Sequence, residues 1–254
     1  NAGRRGVDLE YESLAGDGLA VYSNDTTNPQ FRTFSGGGWS AAASVFATPP
    51  GAGTVLWVEL VRRCDTDEIA LVYADANSDL FAVIWTGTTW DEAGTEVTLE
   101  TALSTIETKC FDAEYEDGSS DLLVAWGFTT VAQYRFVTKP AGGGWGTVTT
   151  QIPGTFCIPE VLELAREPNG SRIALLAAGG PTVGNDDLGG AVWDGVSTWL
   201  NEARIDADCR GVNTITPYAR PGAFPLVVDW VGTTGQVVGV YEDGTGTSLD
   251  WVKW

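Results

Sequence analysis

Four glutamates at regular spacing are the first residues in this sequence that could do chemistry: Glu10, Glu59, Glu114 and Glu163. Each lies in a short extended stretch, and Pro217 takes the corresponding place in a fifth stretch. Carboxylates gathered around one axis would repel one another and raise some of their pKa values, or would hold a hard cation such as Ca²⁺. Alternatively, each accepts hydrogen bonds from a neighbouring segment or faces water in a channel. The glutamates are candidate binding residues, and structural Ca²⁺ is the one cofactor suggested.

Arginines occur three positions after three members of that column: Arg62, Arg166 and Arg220. If the repeated stretches are arranged in a ring, the three guanidinium groups lie at one end of it and could bind a carboxylate on a ligand through paired hydrogen bonds. Ion pairs with acidic residues in the adjacent turns are the simpler alternative.

A longer interruption covers residues 179–190 and contains Asn185, Asp186 and Asp187. Oxygen-bearing side chains this close together suggest a binding loop or a weak calcium site. An exposed polar loop without a ligand explains the same residues.

No catalytic set is evident in the sequence. The chain has no histidine, so Ser/His and Cys/His arrangements are impossible, and a zinc site lacks its commonest nitrogen ligand. With 34 acidic residues, pairs of carboxylates arise by chance and do not by themselves indicate a glycoside hydrolase. The sequence favours a protein that is not an enzyme, with a glycosidase as the third alternative.

The elements that must position these residues form a five-fold repeat. Three columns keep the same period: a residue ending one strand, an aromatic ending the next, and a tryptophan beyond a glycine. Their members are Tyr22, Tyr73, Trp126, Ala177 and Trp230; then Phe34, Trp85, Phe136, Trp193 and Tyr241; then Trp39, Trp90, Trp145, Trp199 and Trp251. These aromatic residues are expected to pack successive units against each other.

Each unit supplies four short strands separated by turns rich in Gly, Asn, Asp and Pro. Because one such unit cannot bury both its faces, the repeats predict an all-β fold, a five-bladed β-propeller of four-stranded antiparallel blades. The expected blades cover residues 7–53, 54–108, 109–155, 156–210 and 211–254 of a single domain. The last blade is expected to meet the first without a swapped strand.

Composition restricts the partners. The net charge is −20 with only 14 basic residues, so nucleic acid is a poor partner. No apolar run is long enough to span a membrane. The chain starts without a signal peptide, which fits a mature product or a fragment.

The cysteines Cys110, Cys157 and Cys209 are predicted to lie on one face of the ring and Cys64 on the other. At most one disulfide is expected, Cys157–Cys209 or Cys110–Cys157. Two sequons, at Asn24 and Asn169, permit glycosylation.

Residues 69–73 (IALVY) together with 85–90 (WTGTTW) and 193–199 (WDGVSTW) resemble the blade motif of secreted propeller lectins, above all the fucose-binding lectins. The GTTW segment also resembles the end of the Asp-box of sialidase propellers. The ligand residues of these families do not carry over. Where the fucose-binding lectins have an Arg and a Glu, this chain has apolar residues such as Ala70 and Ala82 or Val83. Where the Asp-box has its aspartate, this chain has Trp85. The resemblance implies the fold and an extracellular or cell-surface location.

Three functions follow from these observations. The first is a non-catalytic recognition module that binds glycans or another surface polymer. The second is a structural, self-associating subunit of a filament, surface layer or multi-propeller adhesin. The third is a glycoside hydrolase.

Overall fold

A computed structural model of the chain describes residues 5–128, 133–152, 157–182, 185–206, 209, 226–232, 235–242 and 249–254. Within these ranges it contains five antiparallel β-sheets that follow one another in chain order. The all-β prediction and its division into antiparallel sheets are therefore confirmed.

Each of sheets 1 to 3 begins with a strand that contacts the first strand of the next sheet, and we call these first strands the inner strands. Sheet 1 contains β1 (Val7–Tyr11), β2 (Gly18–Tyr22), β3 (Gln30–Ser35), β4 (Gly38–Trp39) and β5 (Ala43–Ser44). Sheet 2 contains β6 (Val55–Arg62), β7 (Ile69–Asp75), β8 (Leu80–Trp85) and β9 (Val97–Glu100), with the helical turn α1 (Glu92–Thr95) before its last strand. Sheet 3 contains β10 (Phe111–Tyr115), β11 (Leu122–Gly127), β12 (Tyr134–Lys139) and β13 (Thr149–Gln151).

Sheets 4 and 5 complete the described part of the chain. Sheet 4 contains β14 (Val161–Arg166), β15 (Ile173–Thr182), β16 (Asn185–Trp193) and β17 (Trp199–Asp206). Sheet 5 contains β18 (Val227–Trp230), β19 (Val237–Glu242) and β20 (Leu249–Lys253). In every sheet the main path of neighbouring strands follows the sequence order, and in sheet 1 β5 also pairs with β3.

Consecutive sheets pack face to face. The first strands contact one another in series, β1 with β6, β6 with β10, β10 with β14, and β14 with β18. Four apolar cores lie between the five sheets. Strands β7 and β8 are buried at every position because they carry unbroken apolar runs and are covered on both faces. Among the described residues the sheets do not close into a ring, so the number of blades stays a prediction.

Aromatic residues join some of the sheets, but not through all the members of the predicted columns, since Trp39 and Trp251 are exposed. Phe31 of sheet 1 lies 5.5 Å from Trp85 and 5.7 Å from Trp90 of sheet 2, measured between ring centroids. The same trio recurs between sheets 3 and 4, where Phe136 lies 5.3 Å from Trp193 and 5.6 Å from Trp199.

Phe136 therefore corresponds to Phe31, and its predicted alignment with Trp85 is wrong. Trp85 of β8 pairs with Ile69, the first residue of β7. In sheet 3 the first residue of β11 is Leu122, and it pairs with Lys139. The residue that corresponds to Trp85 is therefore Lys139. The turns between the second and third strands differ in length from sheet to sheet. A constant spacing along the sequence therefore does not pick out the same register position in every third strand.

The structure also shows a longer period of two sheets. The inner strand of sheet 1 reads VDLEYE from Val7, and that of sheet 3 reads FDAEYE from Phe111. Sheets 2 and 4 instead share the sequence pattern E-L-x-R, from Glu59 and from Glu163. The two types of sheet alternate, with equivalent inner-strand residues 104 positions apart along the sequence.

Two further expectations concern sheets 4 and 5. Within the predicted loop 179–190, residues 179–182 belong to β15 and residues 185–190 to β16, and Gly179 pairs with Asp187, so the described part of this segment is strand rather than loop. The predicted first strand of the fifth blade, residues 215–219, lies outside the described residues. Strand β18, predicted to be second in that blade, contacts both β14 and β15.

No disulfide joins any of the four cysteines, all of which the structure describes. Neither candidate bridge, Cys157–Cys209 or Cys110–Cys157, is formed in this structure. Cys110 and Cys157 are buried, and their thiols hydrogen-bond to carbonyl oxygens, Cys110 to that of Thr105 and Cys157 to that of Ala177.

Candidate functional site

A cluster of charged side chains lies where the inner strands converge. The Nζ of Lys109 donates to Oε2 of Glu59 at 2.8 Å and to Oδ1 of Asp112 at 2.9 Å. Glu59 belongs to sheet 2, whereas Lys109 and Asp112 begin sheet 3. The ammonium group thus joins two sheets at their inner strands, and its own side chain is only 12% exposed.

The aspartates of this cluster also bind the next sheet through its backbone. Oδ2 of Asp112 accepts the N–H of Leu164 at 2.7 Å, and Oδ2 of Asp8 accepts the N–H of Leu60 at 2.8 Å. Arg5 forms an ion pair with Asp8, which lies three residues later in the chain. Lys109 and Asp112 form an equivalent pair with the same spacing. The same arrangement, an aspartate that is paired with a cation and accepts a backbone N–H, therefore connects sheet 1 to sheet 2 and sheet 3 to sheet 4.

Burial changes the ionisation of these groups. It raises the pKa of Glu59 to about 7 and that of Asp112 to about 6, although Lys109 opposes both shifts. Burial alone would lower the pKa of Lys109, but Asp112 and Glu59 hold it above its ordinary value. The pKa of Glu163 is also raised, first by burial, with Lys109 opposing the shift.

The predicted column of four glutamates does not lie at one level. The level of a residue is counted here from the last residue pair of its hairpin, formed by the first and second strands of the sheet. Glu59 and Glu163 lie three residues before that pair, and so do Asp8 and Asp112 in their own sheets. Glu10 and Glu114 lie two residues further along their strands, level with Val61 and Ala165. Spacing along the sequence could not show this, because the level depends on the register of each hairpin.

Glu114 has its own partner. Its Oε1 lies 3.4 Å from Nη1 of Arg166, and burial raises its pKa to about 8. Of the predicted arginine set, Arg166 therefore pairs with a carboxylate, Arg62 is exposed, and Arg220 lies outside the described residues with Pro217. The clustering of all three arginines therefore stays a prediction.

The other predicted site residues are separate. Asp187 is buried and lies 3.5 Å from Nη1 of Arg204, while the side chains of Asn185 and Asp186 lie outside those described. Asn24 and Asn169 are exposed, as an acceptor of glycosylation must be. In the described part of the chain, no three His, Cys, Asp or Glu residues gather in a way that could hold a metal ion.

A groove between sheets 4 and 5 was not expected from the sequence. It encloses about 340 Å³, which is within the range of small-ligand pockets, ~300–1,000 Å³. Its lining is mostly apolar with a few polar groups: Gly190, Asn201, Glu202, Ala203, Ile205 and Trp254.

Trp254 forms the aromatic wall of this groove. Its backbone pairs with Val237 through hydrogen bonds of 2.9 and 3.1 Å, which continues the sheet beyond β20. The indole lies against Gly190, where an added Cβ would come within 3.2 Å of the ring. Its buried Nε1 has no hydrogen-bond partner among the described residues.

Glu202 and Asn201 form the polar side of the groove. Glu202 is held in place because Oε1 accepts the hydroxyl of Tyr134 at 2.9 Å and Oε2 accepts Nε2 of Gln151 at 3.0 Å. Asn201 has a φ of 53° and lies at an irregularity in the pairing of β16 with β17. This irregularity lies beside Trp254, with which Asn201 lines the groove.

One signal in the sequence could have pointed to this groove. Of the 11 tryptophans, only Trp57 and Trp254 fall outside the repeating columns. Trp57 is buried and donates to the carbonyl of Ile106 at 2.9 Å, which is a packing role. Trp254 is the one outside the repeat that lines a cavity.

Comparison with known proteins shows the fold. No protein-family model matches the chain, and no curated protein matches it. Among solved structures, it is similar to a lectin from Burkholderia pseudomallei, at a TM-score of 0.67 and 14% identity over 99% of this chain and 69% of the lectin. It is also similar to the Aleuria aurantia lectin in complex with α-methyl-L-fucoside, at a TM-score of 0.52 and 9% identity over 100% and 77% of the two chains.

Enzymes of the same architecture match as well. An α-L-arabinofuranosidase from Fusarium graminearum has a TM-score of 0.55 and 14% identity over 99% of this chain and 80% of the enzyme. The chain thus shares its fold with lectins and arabinanase-type β-propeller proteins, at identities that show the fold alone. No helix in the described ranges is long and apolar enough to cross a membrane.

Proposed function

We propose that this protein is a non-catalytic module that binds glycans outside the cell or at its surface, and that the groove beside Trp254 is a saccharide site. The observation that carries the proposal is the pairing of an indole wall with a fixed carboxylate across a cavity of about 340 Å³. A sugar ring has a C–H face that packs on an aromatic surface and hydroxyls that need polar partners. Similarity in fold to lectins supports the proposal.

The preferred ligand is a neutral glycan. Glu202 is the charged residue of the groove, and the whole chain carries a net charge of −20. A sialylated, sulfated or uronic acid sugar would meet like charge, and the described lining of the groove contains no lysine or arginine to offset it. A hydroxyl group, by contrast, can donate to the carboxylate of Glu202.

The state of the axial carboxylates favours binding over hydrolysis. A glycosidase needs one carboxyl group to deliver a proton and another to attack or to activate water. Here Glu59 and Asp112 are bound by Lys109, Asp8 and Asp112 accept backbone amides, and Glu114 is paired with Arg166. Each of these pairs would have to break before the group could act on a substrate.

Binding to an array of neutral and acidic glycans tests the proposal, followed by calorimetry with any ligand found. Trp254→Ala should abolish binding and Glu202→Gln should weaken it by roughly 10-fold or more, since each removes one side of the groove. Trp39→Ala is the matched control, because Trp39 is an exposed tryptophan of sheet 1 and does not line the groove. Native protein that binds no glycan, or Trp254→Ala that binds as well as native, contradicts the proposal.

An arabinan-active hydrolase is the second candidate. Similarity to the arabinofuranosidase and the presence of carboxylates with raised pKa values near the axis favour it. Release of reducing sugar from arabinan or from a chromogenic arabinofuranoside, lost in Glu114→Gln, would support this function. Turnover unchanged in that variant would point to a contaminant.

A further inference from the structure

A glycine of sheet 4 lies beneath the groove that is proposed as a saccharide site. Gly190 belongs to β16 and pairs with Leu176 on one side and with Ala203 on the other. A Cβ added to Gly190 would lie 2.6 Å from Cδ1 of Ile205 and 3.2 Å from Cζ2 of Trp254. Both of these side chains line the groove. Its two largest apolar walls therefore rest on a strand position that has no side chain.

Backbone conformation does not account for this glycine. The φ of Gly190 is not positive, so its conformation is open to any residue. The equivalent residue of sheet 2 is Ala82, which pairs with Val72, the fourth residue of β7, as Gly190 pairs with Leu176, the fourth residue of β15. Ala82 is 0% exposed, so a methyl group fits at this place in a fully buried strand. What excludes a side chain at Gly190 is the close approach of Ile205 and Trp254.

A second glycine lies under the same indole from the other sheet. A Cβ added to Gly239 of β19 would lie 3.4 Å from Cζ3 of Trp254 and 2.9 Å from Cδ2 of Leu176. Glycine within a strand weakens the strand, and it often marks a place where another group approaches the backbone closely. The indole of Trp254 therefore lies in a slot between two glycines, Gly190 from sheet 4 and Gly239 from sheet 5.

We infer that Gly190 is a positioning residue of the saccharide site, which sets the depth of the groove by letting Ile205 and Trp254 lie directly against β16. The inference rests on the proposed function. A separation of 2.6 Å is well below the contact distance of two carbon atoms, about 3.5–4.0 Å, so a methyl group at Gly190 would push the walls away from the strand. They would then enter the space of about 340 Å³ that the groove encloses.

The identity of the nearest atom provides a specific rescue. The added methyl group at Gly190 meets Cδ1 of Ile205 before any other atom. Ile205→Val removes that one carbon and keeps the rest of the apolar side chain. If Gly190 acts by giving Ile205 and Trp254 their places, the second substitution should restore the groove that the first one narrows.

Titration of an array of neutral glycans with native and variant protein tests the inference. Gly190→Ala should weaken binding by about 10-fold or more, because overpacking displaces the walls of the groove. The double variant Gly190→Ala/Ile205→Val should bind within about 3-fold of Ile205→Val alone. Circular dichroism and urea denaturation check that each variant is fully folded at the temperature of the titration, so that a loss of affinity is not a loss of folded protein.

Gly127→Ala is the matched control for a change in stability alone. Gly127 is also a strand glycine without room for a Cβ, which would lie 2.1 Å from the carbonyl oxygen of Pro159, but it does not line the groove. This variant should be less stable and should bind as native protein does.

The outcomes separate this inference from the proposed function. Native protein that binds neutral glycans while Gly190→Ala binds them equally well overturns the inference and leaves the proposed function intact. An equal loss of affinity in Gly127→Ala, or no recovery in the double variant, also overturns it, because affinity then does not depend on the space above Gly190. Native protein that binds none of the glycans contradicts the proposed function and this inference with it.

Discussion

Nζ of Lys109 in sheet 3 lies 2.8 Å from Oε2 of Glu59 in sheet 2, and this ion pair is largely buried between the inner strands. Oδ1 of Asp112 accepts a second hydrogen bond from the same ammonium group at 2.9 Å. A cation held between two carboxylates removes the repulsion that four converging acidic strands would otherwise produce. The cluster is therefore best understood as the device that holds the inner strands together.

Lys109→Met tests this role. It removes the cation and leaves Glu59 and Asp112 buried without their partner, which costs about 3–5 kcal/mol when a buried pair is broken. Urea denaturation of native and variant protein measures the difference. Adding Glu59→Gln and Asp112→Asn should recover part of the loss, because no uncompensated charge then remains. Lys253→Met, at an exposed lysine, should change the free energy of unfolding by less than about 0.5 kcal/mol.

Stability should fall as the pH rises from 5 to 8.5. The pKa of Glu114 is raised from its ordinary value to about 8 by burial, so the folded state holds this proton more tightly than the unfolded state. The stabilisation is complete below the ordinary pKa and is lost as the pH rises through the folded one. Glu59, raised to about 7, acts in the same direction.

Urea denaturation at several pH values measures this effect. Glu114→Gln should reduce the fall by an amount on the order of 2–4 kcal/mol, given that one pKa unit corresponds to about 1.4 kcal/mol. Asp25→Asn is the control, since Asp25 is an exposed residue in a turn. A pH profile that Glu114→Gln leaves unchanged would contradict the assignment.

Gly127→Ala should destabilise the protein by about 1–3 kcal/mol, the usual effect of overpacking. A Cβ at this position in β11 would lie 2.1 Å from the carbonyl oxygen of Pro159, in the segment leading to sheet 4. That backbone cannot move without disturbing the contact between sheets 3 and 4. Gly144→Ala, which would meet nothing within 4 Å, should be neutral or slightly stabilising. The midpoint of urea denaturation compares the two variants.

The sequence predicted the sheets because each repeat carries its own turn residues and apolar runs, as in β7 and β8. It misplaced the site residues because their level is set by hairpin register. Glu10 and Glu59 occupy corresponding places in the predicted column, yet the residue level with Glu59 is Asp8. An offset of two residues along a strand separates two carboxylates by a full step of the pleat.

The groove could not be predicted for a different reason. Its walls come from β17 and the end of the chain, and Trp254 meets Gly190 only after sheets 4 and 5 have packed. Asn201 enters it through an irregularity in strand pairing that no spacing rule anticipates. The exposure of Val7, Leu9 and Tyr11 was equally hidden, since these residues match the sequence pattern of the buried β10.

Trp193→Phe should cost about 1–3 kcal/mol, because a buried acceptor loses its donor. Nε1 of Trp193 in sheet 4 donates to Oε1 of Glu116 in sheet 3 at 2.8 Å, and the same bond joins Trp85 to Glu12 between sheets 2 and 1 at 2.7 Å. Phenylalanine keeps most of the ring packing but cannot donate. The free energy of unfolding should recover in part when Glu116→Gln is added, because burial already raises the pKa of Glu116 and a neutral amide is easier to bury.

Trp251→Phe serves as the comparison for this prediction, measured at a protein concentration low enough to keep the chain monomeric. Trp251 is 69% exposed, so the change should lie within about 0.5 kcal/mol of zero. Equal losses in Trp193→Phe and Trp251→Phe would show that the indole bond to Glu116 contributes nothing. A loss confined to Trp193→Phe and relieved by Glu116→Gln would establish that each two-sheet unit is joined by a buried indole–carboxylate bond.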